Sequence, residues 1–112
     1  MERNRLYDSA ADYFRLNGNA IMKLTPEAAI DVCLEAAQRG LVVVRIEGGI
    51  WHSPGFEARL DCIWDGAEPP IDLENAIANN ARAAEDIRRE RVIHGAFIIC
   101  DAPLTGYRHK RT

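Results

Sequence analysis

Residues 41–64 read LVVVRIEGGIWHSPGFEARLDCIW and predict a β-hairpin. Val42–Val44 favour a pleated conformation, because β-branched side chains fit a strand better than a helix. Apolar and polar residues alternate over Phe56–Trp64, which is typical of a strand with one buried face. His52–Gly55 has the composition of a turn. The pair Gly48–Gly49 lies in mid-strand and indicates a bulge or a close approach of backbone.

The alternation assigns the second strand of this hairpin two faces. The apolar face, expected to point inward, holds Phe56, Ala58, Leu60, Cys62 and Trp64. The charged face, expected to point to solvent, holds Glu57, Arg59 and Asp61. Residues two apart in a strand share a face, so these predictions stand or fall together.

Elements on both sides of the hairpin follow from capping residues and periodicity. Thr25 is an N-cap candidate with proline in the next position, and apolar residues at helical spacing predict a helix over 25–39. Asp72 is the N-cap candidate for a long helix over 72–91. The apolar run 92–100 predicts a strand covered on both faces.

The resulting fold class is α/β (α+β), with the order α-α-β-β-α-β. A short helix over 4–16 comes first, and the hairpin and the last strand form a small three-stranded mixed sheet with helices packed on it. Residues 1–112 are expected to form a single domain. Within it, residues 1–20 are a helical extension and 104–112 a basic tail.

Composition is that of an ordinary globular domain, with 47% apolar and 28% charged residues. No apolar run approaches the roughly 18 residues needed to cross a bilayer, and the charged N-terminus does not look like a signal peptide, so we expect a cytoplasmic protein with no membrane contact. The odd cysteine count, Cys33, Cys62 and Cys100, predicts reduced thiols rather than disulfides.

Motifs for catalysis, cofactors or metals are not found at the required spacings. Ser53 follows His52, but sequence neighbours rarely form a nucleophile and base. Metal ligands would have to come from His52, His94, Cys62 and Cys100, and His94 is more simply a core histidine. Glu57 and Asp61 could share acid–base work, but with Arg59 between them a solvated charge network is the simpler interpretation. The sequence therefore predicts no catalytic residue, no metal site and no cofactor.

Charge is distributed unevenly along the chain. Between Glu47 and Glu74 there are seven acidic residues and one base, Arg59, a net charge of −6 over 28 residues (1 − 7 = −6). Such a segment favours a basic protein partner, and tryptophans commonly anchor interfaces. The predicted contact surface is Trp51, Glu57, Asp61, Trp64, Asp65, Glu68 and Asp72. Arg108, Lys110 and Arg111 in the tail could touch nucleic acid, but an isoelectric point of about 5.6 argues against that as the main role.

The segments 48–56 and 62–66, with the helix and the strand that follow, resemble the immunity proteins of bacterial contact-dependent growth inhibition and polymorphic toxin systems. The resemblance covers residues 24–107. It implies a cytosolic inhibitor that covers a toxin domain, often a nuclease, and it carries over no individual binding or catalytic residue.

Three other functions remain compatible with the residues. A module that pairs through an exposed sheet edge, including a homodimer, is one, because three strands alone are marginally stable. A binder of a small ligand, using the sheet face and the tryptophans, is the second. The third is an enzyme of a type that no motif identifies.

Overall fold

The computed structural model describes residues 5–106. Its strands are β1 (Leu6–Tyr7), β2 (Lys23–Leu24), β3 (Leu41–Trp51), β4 (Phe56–Asp65) and β5 (Ala96–Pro103). Its α-helices are α1 (Ala10–Arg15), α2 (Pro26–Ala36), which continues into the 3₁₀ turn Ala37–Arg39, and α3 (Leu73–Glu90). None of the helices in this part of the chain is long and apolar enough to span a membrane.

The sheet has five strands in the order β1-β2-β5-β3-β4. β1 and β2 are parallel, and every other neighbouring pair is antiparallel. The α+β class agrees with the sequence, but the prediction of a three-stranded sheet in the order α-α-β-β-α-β is wrong. The missed strands are two residues each, too short to show any alternation. β1 occupies part of the stretch predicted as a helix over 4–16, and the helix itself begins only at Ala10.

The last strand also differs from the prediction of 92–100. It begins at Ala96 and runs to Pro103, and Val92 and Ile93 are 84% and 73% exposed. These two residues belong to the turn that leaves α3. The apolar composition of a run does not distinguish a buried strand from an exposed turn that is also apolar.

The two main helices begin at the predicted capping residues, and the hairpin lies where the strand pattern predicted it. Thr25 Oγ1 accepts a hydrogen bond from the Ala28 N–H, and Asp72 Oδ1 accepts one from the Asn75 N–H. Gly40 ends the α2 segment in the left-handed conformation, with φ at 75°, which glycine adopts without steric cost.

One face of the sheet carries the helices. Ile46 on β3, Trp64 on β4 and Ile99 on β5 are paired across the strands and pack into the core with α2 and α3. Alanine and asparagine, rather than Leu73 and Ile77, make up most of the buried side of α3. Its buried residues are Ala76, Asn79, Asn80, Ala83, Ala84 and Ile87. Leu73 and Ile77 are about half exposed.

Two neighbouring asparagines fasten α3 to the start of β3. Asn80 Oδ1 accepts from the Val43 N–H at 2.9 Å, and Asn80 Nδ2 donates to the Leu41 carbonyl at 3.2 Å. Asn79 Nδ2 donates to the Val43 carbonyl at 2.8 Å, while its Oδ1 accepts from the Ala67 N–H at 2.8 Å. Both side chains are fully buried, so they supply partners that water cannot supply there.

The N-terminal segment is tied to β5 by a buried phenol. Tyr13 Oη donates to Asp101 Oδ2 at 2.5 Å, and Asn19 brackets the backbone of Asp101 through its side-chain oxygen and nitrogen. Burial, followed by the charge of Asp101, raises the pKa of Tyr13 far above its ordinary value. The phenol therefore keeps its proton and is the donor in this bond.

Candidate functional site

The outer edge of the hairpin is the first feature of the candidate site. β4 pairs with β3 on one side, and within residues 5–106 no strand pairs with its other side. Unpaired backbone groups along an edge strand are a template for another chain. The helix-covered part of the sheet ends near Cys62, and the residues from there to the turn project beyond it with mostly exposed side chains.

An irregularity divides the hairpin. Glu47 pairs with Ile63 and Gly49 pairs with Ala58, so four residues of β4 face the single residue Gly48. A side chain at Gly48 would place its Cβ 2.3 Å from Cys62 Sγ, which excludes any larger residue without movement of the sulfur. The prediction of a bulge or close approach at Gly48–Gly49 is confirmed.

Carboxylates along β4 are exposed but largely held by arginines of the same sheet. Arg59 lies between Glu57 and Asp61, at 3.5 Å and 3.8 Å. Asp65 lies 3.4 Å from Arg45 on β3, and the side chains of Asp61 and Asp65 are 73% and 69% exposed. Glu57 pairs with Ile50 and Asp65 with Arg45, five residues apart on β3, so the carboxylates project from both faces of the edge strand and most of their surface is available to a partner.

Glu57 has a second partner at the turn. His52 Nε2 lies 2.7 Å from Glu57 Oε1, and this hydrogen bond, helped by the charges of His52 and Arg59, lowers the pKa of Glu57. The carboxylate is therefore ionised over a wider pH range than an isolated glutamate. The Nε2 atom of His52 is thus engaged by Glu57 at the turn.

The remaining predicted contact residues fall into different environments. Glu68 is exposed in the loop after β4, and the carboxylate of Asp72 caps α3. Trp64 packs against the core, with its ring over Gly66, whereas Trp51 lies at the end of β3 and is partly buried. Trp51 and Glu57 both lie at the distal end of the hairpin but on opposite faces, since Trp51 pairs with Phe56 and the adjacent pair is Ile50–Glu57.

Sequence reasoning missed an apolar group beside the acids. Leu60 is 88% exposed, so the prediction that Ala58 and Leu60 point into the core is wrong. The alternation does not continue through the irregularity opposite Gly48: Ala58 pairs with Gly49 and Trp64 with Ile46, three residues apart on β3, so the two lie on opposite faces of the sheet. Val92 and Ile93 are exposed just after α3, and their position behind the charged helix end 88–91 is the signal that could have marked them as a turn.

Cys62, Glu90 and His94 form a compact cluster under the hairpin. One ligand atom from each, a sulfur, a carboxylate oxygen and a ring nitrogen, lies within 4.8 Å of the others. Burial, the charges of Glu90 and Asp86, and a hydrogen bond to Glu90 raise the pKa of the Cys62 thiol to about 12. The other metal-ligand candidates lie elsewhere, His52 at the turn and Cys100 beside Arg45 and Glu47.

The three cysteines are free thiols, with Cys33 and Cys62 buried and Cys100 partly buried. A shallow cavity of about 150 Å³ lies between α2 and α3. It is lined by Cys33, Leu34, Ala37, Gln38, Ile77, Asn80 and Ala81. It is small for a metabolite, since ligand pockets usually measure about 300 Å³ or more, and it lies away from the tryptophans.

Comparison with known proteins places the chain among immunity proteins. The family model of the colicin-E5 Imm protein matches residues 22–101. Immunity protein CdiI of Burkholderia pseudomallei is 54% identical over 107 residues, which is 96% of this chain and 98% of that protein. Two Escherichia coli proteins, the colicin-E5 immunity protein and the colicin-E5 immunity protein in ColE9, are 40% and 42% identical over 80 residues, 70% of this chain and 95% of each of them.

The chain belongs to the colicin-E5 immunity protein family. The predicted resemblance to immunity proteins of contact-dependent growth inhibition systems is confirmed, and so is the prediction of an immunity protein as the function. The family match starts at residue 22, whereas the match to the Burkholderia protein covers nearly the whole chain, so it extends into at least part of the first 21 residues.

Proposed function

We propose that this protein neutralises a nuclease toxin domain by covering the domain's basic, phosphate-binding surface with the acidic edge strand β4. The observation that carries the proposal is the set of exposed carboxylates on that edge strand in a member of an immunity protein family. An inhibitor of this kind works by binding and needs no catalytic group of its own. Membership of a family named for immunity to colicin E5 supports a toxin as the partner.

Electrostatics favours this surface. A nuclease that holds a polyanion presents lysines and arginines, and an acidic row complements them and accelerates encounter. Arg59 and Arg45 keep the carboxylates of Glu57, Asp61 and Asp65 in place through ion pairs.

Apolar contacts would supply the affinity. Trp51, the aromatic residue of the predicted surface at the distal hairpin, is partly buried, and Leu60 projects from the same hairpin almost fully exposed. Interfaces depend on a few such anchors, while charged rim residues mainly set orientation and association rate. We place Trp51 and Leu60 at the centre of the contact and Glu68 and Asp72 at its rim, beyond the end of β4.

The experiment is a charge reversal of Asp61→Lys with Asp65→Lys, measured by association kinetics with the cognate toxin domain over a salt series. We expect association to slow about tenfold or more at low salt and the salt dependence to flatten, with little change in release. Glu35→Lys with Glu85→Lys is the matched control, because it makes the same change in net charge on exposed faces of α2 and α3. Equal slowing in both variants, or none in either, would remove β4 from the interface.

A homodimer through the free edge of β4 is the second candidate, and the unpaired edge is the observation in its favour. Light scattering at micromolar concentration, with and without the toxin domain, separates the two. A dimer that persists in the complex would place the toxin elsewhere on the molecule. A dimer that dissociates when the toxin binds would assign both partners to the same edge.

Residues 1–112 are proposed to act as one domain. The buried side chains of Tyr7 and Tyr13, from the segment expected to be an extension, belong to the same core as β3 and β5. Most of the basic tail predicted over 104–112 lies outside the described residues. Limited proteolysis that leaves residues 5–106 intact would agree with a single unit.

A further inference from the structure

We propose that Cys62, Glu90 and His94 form a binding site for a thiophilic divalent cation, with Zn²⁺ as the natural occupant. The inference does not depend on the toxin or on the edge strand. It rests on the placement of a sulfur, a carboxylate oxygen and an imidazole nitrogen within 4.8 Å of one another. These three groups are the ones that Zn²⁺ binds in proteins.

Two separate elements of the fold build the cluster. On one side, α3 ends at Glu90, and the following turn is closed by the Ile93 and His94 N–H groups, which donate to the Glu90 carbonyl at 3.0 Å and 2.8 Å. This turn folds His94 back toward the Glu90 side chain, where His94 Nε2 and Glu90 Oε1 are 3.6 Å apart. On the other side, the β4 irregularity turns Cys62 inward over Gly48.

The spacing of the atoms suits a zinc ion. Bond lengths of about 2.3 Å to sulfur and 2.0–2.1 Å to nitrogen or oxygen, at tetrahedral angles, place ligand atoms roughly 3.3–3.6 Å apart. The distance of 3.6 Å between His94 Nε2 and Glu90 Oε1 agrees with this value. Since no pair exceeds 4.8 Å, closing the site requires movements of about 1 Å, which side-chain rotations supply.

The histidine also lacks a full set of partners. His94 is buried, and among the residues that the structure describes its Nδ1 has no hydrogen-bond partner. A buried ring nitrogen without a partner is unfavourable. Binding of the cation by Nδ1 would satisfy this nitrogen and leave Nε2–H to donate to Glu90, whereas binding by Nε2 would leave the proton on Nδ1.

The surrounding charge favours a cation. Asp86 lies one turn before Glu90 on α3, largely buried, and its charge reaches the Cys62 sulfur together with that of Glu90. The guanidinium of Arg89 offsets the charge of Asp86, with Arg89 Nη2 lying 3.2 Å from Asp86 Oδ1. When the cation binds, Cys62 binds it as the thiolate, and its proton leaves to solvent. Three protein ligands leave a fourth position for water or for a group of a bound partner.

The test uses tag-free full-length protein, treated with a chelator and then titrated with Zn²⁺ by calorimetry and with Co²⁺ by absorption spectroscopy. We expect one ion per chain and, with Co²⁺, a near-ultraviolet band from thiolate-to-metal charge transfer. Cys62→Ser should abolish the band and weaken Zn²⁺ binding about 100-fold or more, and Glu90→Gln should weaken it less. Cys100→Ser is the matched control, because Cys100 lies beside Arg45 on the other face of the sheet, and it should bind like the unaltered protein.

Folding is controlled by circular dichroism and by thermal melts with and without Zn²⁺. An ion that binds the native state raises Tm by mass action, so Zn²⁺ should raise Tm of the unaltered protein and of Cys100→Ser but not of folded Cys62→Ser. No thiolate band at one equivalent of Co²⁺, or a band that survives Cys62→Ser and disappears in Cys100→Ser, would overturn the proposal. These measurements contain no toxin, so their failure leaves the proposed function intact.

Discussion

Strand β3 has two kinds of neighbour along its outer edge. Over Leu41–Val43 the neighbour is α3, whose buried Asn79 and Asn80 side chains bond to the strand backbone as another strand would. Over Arg45–Trp51 the neighbour is β4, which has an unpaired outer edge of its own. In the first half, asparagine side chains bind the backbone groups of the outer edge of β3. In the second half, β4 binds them, and among the described residues the unpaired edge on this side of the sheet is that of β4.

This difference teaches where stability and binding are located. Backbone groups in the buried half have no access to water, so each one that loses its partner is costly. The charged side chains of β4 are exposed and their ion pairs are weak, since surface pairs contribute about 0–1 kcal/mol. We therefore expect substitutions in the first half to lower the free energy of unfolding, and substitutions of the exposed β4 side chains to change binding alone.

The largest expected effect is that of Asn80→Ala. It removes the partners of the Val43 N–H and the Leu41 carbonyl in the core, and we expect a loss of about 3 kcal/mol in the free energy of unfolding. Urea denaturation followed by circular dichroism measures it. Asn75→Ala is the control, because Asn75 is exposed in the first turn of α3 and should cost under about 1 kcal/mol. Similar losses in both would mean that the amide ladder does not stabilise the buried half.

Tyr13→Phe tests whether the β5 side of the first half of β3 also stabilises the fold. Asp101 pairs with Val43 across β5 and β3, and Tyr13 donates to its carboxylate in the core. A hydrogen bond to a charged group contributes about 1.5–3 kcal/mol, and we expect a loss of about 2 kcal/mol. Denaturation of Tyr13→Phe, Asp101→Asn and the double variant gives the coupling between the two groups. Additive losses would show that the bond itself contributes nothing.

Sequence patterns predicted the elements with strong local signals. Capping at Thr25 and Asp72 and the alternation of Phe56–Trp64 located α2, α3 and β4 to within a few residues. The two-residue strands β1 and β2 escaped, because their conformation comes from pairing with distant residues and not from a local period. The predicted position of the last strand, 92–100, lies too early in the chain, because an apolar run does not show which of its residues are buried.

The candidate site was predictable in its charge but not in its shape. The count of acids between Glu47 and Glu74 located the acidic edge, whereas Leu60 lies in the irregularity opposite Gly48, where the alternation of β4 is broken. Cys62 and His94 were visible as possible ligands, but Glu90 was not, because only the turn after α3 brings it beside them.

On the open half of the edge, Leu60→Ala should leave stability unchanged within about 0.5 kcal/mol, because the side chain is already in water. If Leu60 is an anchor of the toxin contact, the same substitution weakens binding about tenfold or more through faster dissociation. Leu34→Ala, at a half-exposed leucine of α2, is the control and should leave binding unchanged. A loss of stability in Leu60→Ala would mean that this half of the edge is not independent of the core.

The smallest expected effect concerns the charges at the hairpin turn. The His52 hydrogen bond, more than the charge of Arg59, lowers the pKa of Glu57, so His52→Ala should raise that pKa toward its ordinary value, and Arg59→Gln should raise it less. The ¹³C shift of the Glu57 carboxyl carbon against pH measures this directly.

A lowered pKa of Glu57 in the folded state adds stability above the ordinary carboxyl pKa, and this contribution disappears as the pH falls through the lowered value. Because both side chains are about half exposed, salt screens the pair, and the denaturation curve should not change detectably near neutral pH. A larger rise in the Arg59 variant would assign the pKa to the row of charges along β4 and not to the turn.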